Sequence, residues 1–367
     1  MNPFKYGQVV TGSDFCSRPK LEETLRKHIE SNQNIHVSGE RRTGKTSLVL
    51  ETVAEMKIST VHVDLFQVKS MHDIYTRMLD GIVSWNASGG FLKKLMQRIA
   101  VLKPMMNYDP LTGLPSVSVT PSQSIMPESI VGLLDFMNSR SKTKKLVVFF
   151  DEFQDMTELK NKQELLALMR SRIQLHSEIA YIYAGSVRKR MDETFYAPDS
   201  PFYKSAIPVQ VENINALEFS HYIMERFSRA NRSISSECIE RVFELTNENP
   251  GDVQAFCNAL WDRVDEKVVV GLEHIQLALT EIFSREKPYY ESIINMITDN
   301  QLKSLRGLSA FNGLRVYSKE FLEFSGIAQP ASVTRALKRM IDLKVIYSCN
   351  KQYKFASPFF KLWLLHG

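Results

Sequence analysis

Apolar residues recur at helical spacing from Pro19, where PKLEETLRKHIES sets Leu21, Leu25 and Ile29 on one face. The period then changes. NIHVSG reads as a short strand ending in a glycine-containing turn, KTSLVLETVAEM resumes helical spacing, and STVHVDLF alternates into a second strand. MHDIYTRMLDGIVSWN predicts a helix, and Phe91–Leu102 another. Residues 103–127 interrupt the pattern with five prolines and the turn signal DPLTG, and read as a β-hairpin or an excursion from the core. After a helix over Glu128–Ser139, KKLVVFFDE is an unbroken apolar run, as expected of a strand buried on both faces of a parallel sheet. A helix at Glu164–His176 and the strands AYIYAGS and PVQVENI complete the series. Strands alternating with helices over residues 1–212 predict an α/β class, with a doubly wound parallel sheet.

Beyond Asn215 the spacing is helical throughout ALEFSHYIMERFSRAN, SSECIERVFELTN, DVQAFCNALWDRVDE and EHIQLALTEIFSRE, which predicts a helical domain over 213–295. Residues 296–367 differ again. Helices at Gln301–Phe311, Lys319–Phe324 and Ala331–Leu343 precede VIYSCNKQYKF, two strands with a turn at Cys349–Lys351, and this order is that of a winged helix.

A length of 367 residues accommodates two or three such domains, and 44% hydrophobic with 24% charged residues is ordinary for a globular chain. The four cysteines, Cys16, Cys238, Cys257 and Cys349, lack CxxC spacing, so reduced buried thiols are expected in place of zinc or disulfides. The opening MNPFKYGQVV lacks a basic segment followed by an apolar run, and no stretch has ~18 uninterrupted apolar residues. A cytoplasmic location, without membrane contact, is the expectation. The net charge of +5 is too mild to argue a nucleic-acid partner by itself, but it is unevenly spread. Eleven basic and four acidic residues lie between Asp299 and Gly367, an excess of seven.

The chemistry concentrates in two places. Gly39-Glu40-Arg41-Arg42-Thr43-Gly44-Lys45-Thr46 fits GxxxxGK[ST] after a predicted strand and at the start of a predicted helix. In that context glycines let the backbone wrap a phosphate, and the helix N-terminus adds partial positive charge. Lys45 is placed for the β- and γ-phosphates, the Thr46 hydroxyl for Mg²⁺, and Ser47 begins the helix beside them. The second place is Leu146–Glu152. A buried strand ending in a carboxylate sets Asp151 at the C-terminal edge of the sheet as a candidate metal-side ligand, and Glu152 next to it as the base that activates water. Ser186, after the following strand, reads either as a group that senses the γ-phosphate or orients water, or as a helix N-cap. No NKxD base-reading motif is present, which favours ATP over GTP.

With these residues the chain resembles the archaeal-type ATPase family, a branch of the AAA+/STAND group of P-loop NTPases. The resemblance runs through NPF-x-YG at Asn2–Gly7, DF-xx-R at Asp14–Arg18, GERRTGKTSL, HVDL at His62–Leu65, FFDEFQDM at Phe149–Met156 and AGS. It continues in SPFY at Ser200–Tyr203, ENPGDVQAFCNALW at Glu248–Trp261 and SPFFKLWL at Ser357–Leu364. It implies an ATPase core, a helical lid and a C-terminal winged helix, with Arg18 near the adenine and Pro250 and Gln254 contributed by the lid. Two positions depart from the family. Lys204-Ser205 stands where a finger arginine is expected, and Gln254 stands where related lids carry an arginine; Arg188 and Arg190 are the nearby substitutes. A finger arginine is worth about 10³–10⁵ in rate, so slow intrinsic hydrolysis is expected, completed by a partner or an oligomer.

In PASVTRALKRMIDL, Val333, Leu337 and Met340 or Ile341 form the apolar face, which turns Arg335, Lys338 and Arg339 outward. They read as phosphate contacts of a recognition helix on duplex DNA, or as solvated charges on a winged helix that contacts protein. Two functions follow. One is an ATP-driven switch; the other is a DNA-binding regulator that holds ATP or ADP structurally and barely hydrolyses it.

Overall fold

The computed structural model describes residues 2–86, 95, 104–108, 115–119, 125–142, 145–160, 162–186, 188–265, 267–349 and 352–366. The helix predicted over Phe91–Leu102 lies outside them except for Leu95, as do two residues of the turn predicted at Cys349–Lys351. The chain divides into two compact units, Val9–Glu212 and Met1–Gln8 with Asn213–Gly367.

The first unit is built on five parallel strands, β1 (Ile35–Ser38), β2 (Ser59–Asp64), β5 (Leu146–Asp151), β6 (Ile179–Gly185) and β7 (Ile207–Gln210), in the order β2-β5-β6-β1-β7. Two further strands, β3 (Pro104–Tyr108) and β4 (Pro115–Val119), pair antiparallel as a separate hairpin. The helices are α1 (Pro19–Glu30), α2 (Lys45–Glu55), α3 (Met71–Trp85), α4 (Pro127–Ser141), α5 (Lys162–Ile173) and α6 (Arg188–Tyr196). The unbroken apolar run of β5 has a simple cause. Leu146, Val148 and Phe150 enter one core with Tyr181 and Tyr183, while Val147 and Phe149 enter the opposite core with Ala180, Ile182 and Ala184. Period-two alternation therefore survives, but both faces are dry.

His36 on β1 lies between these demands. It is 1% exposed, stacks on Phe195 at 4.5 Å, and neither ring nitrogen has a hydrogen-bond partner. Burial lowers its pKa from 6.5 to about 4. Between those values the unfolded chain binds the proton more readily, so stability is present above pH 6.5 and falls as pH drops towards 4, by about 3 kcal/mol in full. His36→Phe keeps the stack and should remove most of that loss. Urea unfolding at pH 7 and pH 4.5 measures it, and an equal acid loss in the variant would exclude His36 as its source.

In the second unit α7 (Ala216–Ser228), α8 (Ser236–Thr246), α9 (Pro250–Arg263) and α10 (Ile275–Asn295) are followed by α11 (Asp299–Ala310), α12 (Lys319–Ser325) and α13 (Pro330–Asp342), the hairpin β10 (Ile346–Cys349) with β11 (Gln352–Phe355), and α14 (Pro358–His366). A short parallel pair, Ser233–Ile234 (β8) with Val269–Val270 (β9), completes it. Capping explains the helix starts: Asn215 accepts from Leu217 and Glu218 N–H, Ser235 from Cys238 N–H, and Asn249 from Gly251 N–H. α10 runs past the point where the sequence pattern ends, straight through Pro288. The missing N–H is offset by packing, because Tyr290 and Ile293 beyond it are buried and Tyr290 lies 5.1 Å from Phe360 and 5.3 Å from Trp363. The N-terminal Phe4 inserts beside Phe227 and Trp261, and Asn258 donates to its carbonyl at 2.9 Å. Cys16, Cys238 and Cys257 are free and buried. Among the described residues no helix is long and apolar enough to cross a membrane.

Candidate nucleotide site

β1 ends at Ser38 and α2 begins at Lys45, so Gly39–Gly44 forms the turn between them. Two glycines are needed for steric reasons. Gly44 sits at φ 84°, and a Cβ on Gly39 would lie 2.3 Å from the Val211 carbonyl oxygen. Inside the loop the Thr43 hydroxyl donates to the Glu40 carbonyl at 2.9 Å. Lys45 folds back over it, donating through Nζ to the carbonyls of Glu40 at 2.8 Å and Gly39 at 3.1 Å. Burial pushes the Lys45 pKa below 10.5, while Glu152 and Asp151 pull it upward. Glu40, Arg41 and Arg42 stand exposed along the loop. The first N–H groups of α2 have no acceptor within the helix, the feature that makes a helix N-terminus suited to an anion.

Arg18 braces the loop. Its guanidinium donates to the carbonyls of Thr43 and, at 3.1 Å, of Glu212. The Glu22 carboxylate accepts from the Arg18 N–H and the Ser17 hydroxyl. The chain just before it runs along α2: Val10 N–H donates to the Ser47 hydroxyl at 3.0 Å and Gly12 N–H to the Glu51 carboxylate at 2.7 Å.

The strand order sets β6 between the phosphate-loop strand β1 and the acidic strand β5. Across this span Thr46 Oγ1 donates to Asp151 Oδ2 at 2.6 Å. Glu152 follows with its backbone in the left-handed region at φ 49°, its N–H donating to Asp151 Oδ1 at 3.0 Å. Ser186, just past β6, donates through Oγ to Glu152 Oε2 at 2.9 Å. The Thr46 hydroxyl and Asp151 carboxylate are adjacent hard oxygen donors, the set that suits Mg²⁺ when phosphate oxygens and water supply the remaining positions. Among the described residues no cluster of three or more His, Cys, Asp or Glu side chains forms a protein-only metal cage.

Two residues at this site escaped the sequence reading of roles. His62 on β2 stacks on Phe149 at 4.9 Å, with Nε2 at 3.9 Å from Asp151 Oδ2; only its place in HVDL hinted at it. Gln154 donates to Glu152 Oε2, and the sole hint was its place in FFDEFQDM. Pro250 opens α9, and Gln254 donates to the Tyr222 hydroxyl at 2.9 Å, both in the second unit. Arg190 is paired with Glu158, and the Lys204 ammonium stands 5.2 Å from the Tyr203 ring. Arg335, Lys338 and Arg339 are exposed on α13, whose buried face is Val333, Ala336, Leu337 and Met340, with Ile341 half-exposed.

A family model described as a probable winged helix domain matches residues 288–366. Among solved structures, the Walker-type ATPase of Pyrococcus abyssi aligns over 99% of this chain and 99% of its own, with 18% identity and a TM-score of 0.66. The Aeropyrum pernix ORC2 protein in its ADPNP–ADP complexes aligns over 100% and 96%, with 14% identity and a TM-score of 0.56, and its ADP form over 99% and 98%, with 12% identity and a TM-score of 0.52. No curated protein matches the sequence. In fold, the chain is a five-stranded parallel sheet flanked by helices, like that of the Walker-type ATPase it aligns with, followed by a C-terminal winged-helix domain.

Proposed function

We propose that the chain binds Mg·ATP at Gly39–Ser47, hydrolyses it slowly, and uses the nucleotide state as a switch whose output is a contact made by the winged helix. The observation that carries this is the 2.6 Å bond from Thr46 to Asp151, which joins the phosphate loop to the acidic strand and leaves Glu152 next in the chain. Backbone N–H groups of the loop and the Lys45 ammonium receive the phosphates, and Arg18 keeps the loop's shape. Thr46 and Asp151 hold Mg²⁺, which when bound neutralises charge on the phosphate oxygens. Glu152 accepts the proton of the attacking water, and Ser186 orients its carboxylate. The nucleotide complexes of the similarly folded ORC2 protein are of the kind expected here. Lys204-Ser205 and Gln254 stand where the resembled family and related lids carry arginines, and this supports a low intrinsic rate until a partner or a second copy presents one. The direct test is ATP turnover by the purified protein in Mg²⁺ and in EDTA. Turnover at the buffer level in both, with no ATP bound, would sink this reading. Tight ATP binding without turnover would favour the alternative, a regulator that holds nucleotide structurally.

For the output, the three exposed basic side chains of α13 and the charge excess of seven in residues 299–367 support duplex DNA as one reading, with a protein partner as the other. Changing Arg335, Lys338 and Arg339 together to Ala should flatten the slope of log affinity against log salt by about 2 to 3. No binding by the unchanged protein in low salt would exclude DNA and leave a protein partner.

A further inference from the structure

Glu152 carries its carboxylate at the end of a flexible side chain, and its left-handed backbone does not fix where that carboxylate points. Something else must, because a base has to be held within a narrow range of its water to be effective. Gln154 is 2% exposed, in the 3₁₀ turn Phe153–Glu158 that follows β5. Its Nε2 donates to Glu152 Oε2 and, at 3.2 Å, to Asp155 Oδ1, and its Oε1 accepts the Ser186 N–H at 3.3 Å. The amide can sit only this way round. Reversed, it would set an oxygen against two carboxylates and an NH₂ against an N–H. The far side is anchored too, since Asp155 Oδ2 accepts the Gln67 N–H at 2.8 Å. Gly185 leaves the room: a Cβ there would come within 2.5 Å of Gln154 Oε1 and 2.4 Å of the Met191 sulfur. Glu152 Oε2 thus takes two donors, Gln154 Nε2 and Ser186 Oγ, while Oε1 has no hydrogen-bond partner among the described residues.

We propose that Gln154 is the positioning residue of the hydrolytic step, clamping one oxygen of Glu152 to the Ser186 segment so that the other is presented to water. This rests on the reading of Glu152 as the base. A buried, merely satisfied core glutamine would give the same burial but a different response to mutation. The test uses the full chain carrying Gln154→Met, which removes both polar ends, and Gln154→Glu, which keeps the shape and the acceptor but removes the donor. Both should lower kcat by about 10²-fold while ATP affinity and KM stay within about twofold. In a Glu152→Gln background, Gln154→Met should lower the residual single-turnover rate by less than about twofold, because there is no base left to position. A wild-type kcat in Gln154→Met, a loss expressed as weaker ATP binding, or an undiminished loss in the Glu152→Gln background would each overturn the proposal. A readout independent of turnover separates the two ideas. Hydrogen exchange of the Ser186 amide should quicken at least about fivefold in Gln154→Met. Unchanged exchange overturns the clamp whatever the turnover, whereas absent turnover and absent ATP binding in the wild-type protein overturn the nucleotide site itself. Where Gln154→Met fails to fold, Gln154→Glu carries the same kinetic comparisons.

Discussion

Glu152→Gln should bind Mg·ATP as well as the wild-type protein and turn it over about 10²–10⁴-fold more slowly. The geometry is why binding and turnover separate. Glu152 acts on Lys45 through charge, but the hydrogen bonds of Thr43, Lys45 and Thr46 go to Glu40, Gly39 and Asp151, so the phosphate cradle keeps them. The carbonyl of the new glutamine can still accept from Ser186 Oγ and Gln154 Nε2, so the local fold is preserved. Only the capacity to take a proton from water is lost. Equilibrium binding of ATP alongside phosphate release under saturating ATP measures both halves. A variant that turns over ATP at the wild-type rate would remove Glu152 from its role.

Lys45→Ala should fail at the earlier step, weakening ATP affinity by about 2–4 kcal/mol, roughly 30- to 1,000-fold. In the structure the ammonium is held by two loop carbonyls and is almost fully buried, with the charges of Glu152 and Asp151 acting on it. A polyphosphate entering this site brings several negative charges towards the buried Asp151 and half-buried Glu152 carboxylates. Without Lys45 only the loop N–H groups and Mg²⁺ would oppose that repulsion. The same variant also frees the carbonyls of Gly39 and Glu40, so a small loss of thermal stability without nucleotide is expected, but not unfolding. Titration of ATP into both proteins in Mg²⁺ measures the difference, and an unchanged affinity would place the phosphates elsewhere.

Much of this site is legible along the chain because its parts are local. The eight residues of the phosphate loop, the strand before it and the helix after it need only glycine's freedom and the helix terminus to define their chemistry. The run Leu146–Asp151 likewise declares a doubly buried strand, since both faces must be apolar when helices cover both. The exposed triad Arg335, Lys338 and Arg339 follows from helical period alone.

What periodicity does not encode is which distant residues meet. Thr46 and Asp151 are 105 positions apart, and they bond because β6 enters the sheet between β1 and β5 and brings the strand ends level. Ser186 stood between two meanings in the sequence, and its hydroxyl donates to Glu152, 34 positions away, only because β5 and β6 are neighbours. Pro288 ends a helical pattern by its own chemistry, yet α10 continues because Tyr290 is buried against Phe360 and Trp363. The apolar periodicity begins only at Pro19, and Phe4 before it is core only where Phe227 and Trp261 await it. Local propensity acts across a few residues, so the sequence by itself determined the elements and the chemical groups they carry. Strand order and packing act across the whole chain, and they alone decided which of those groups share a site.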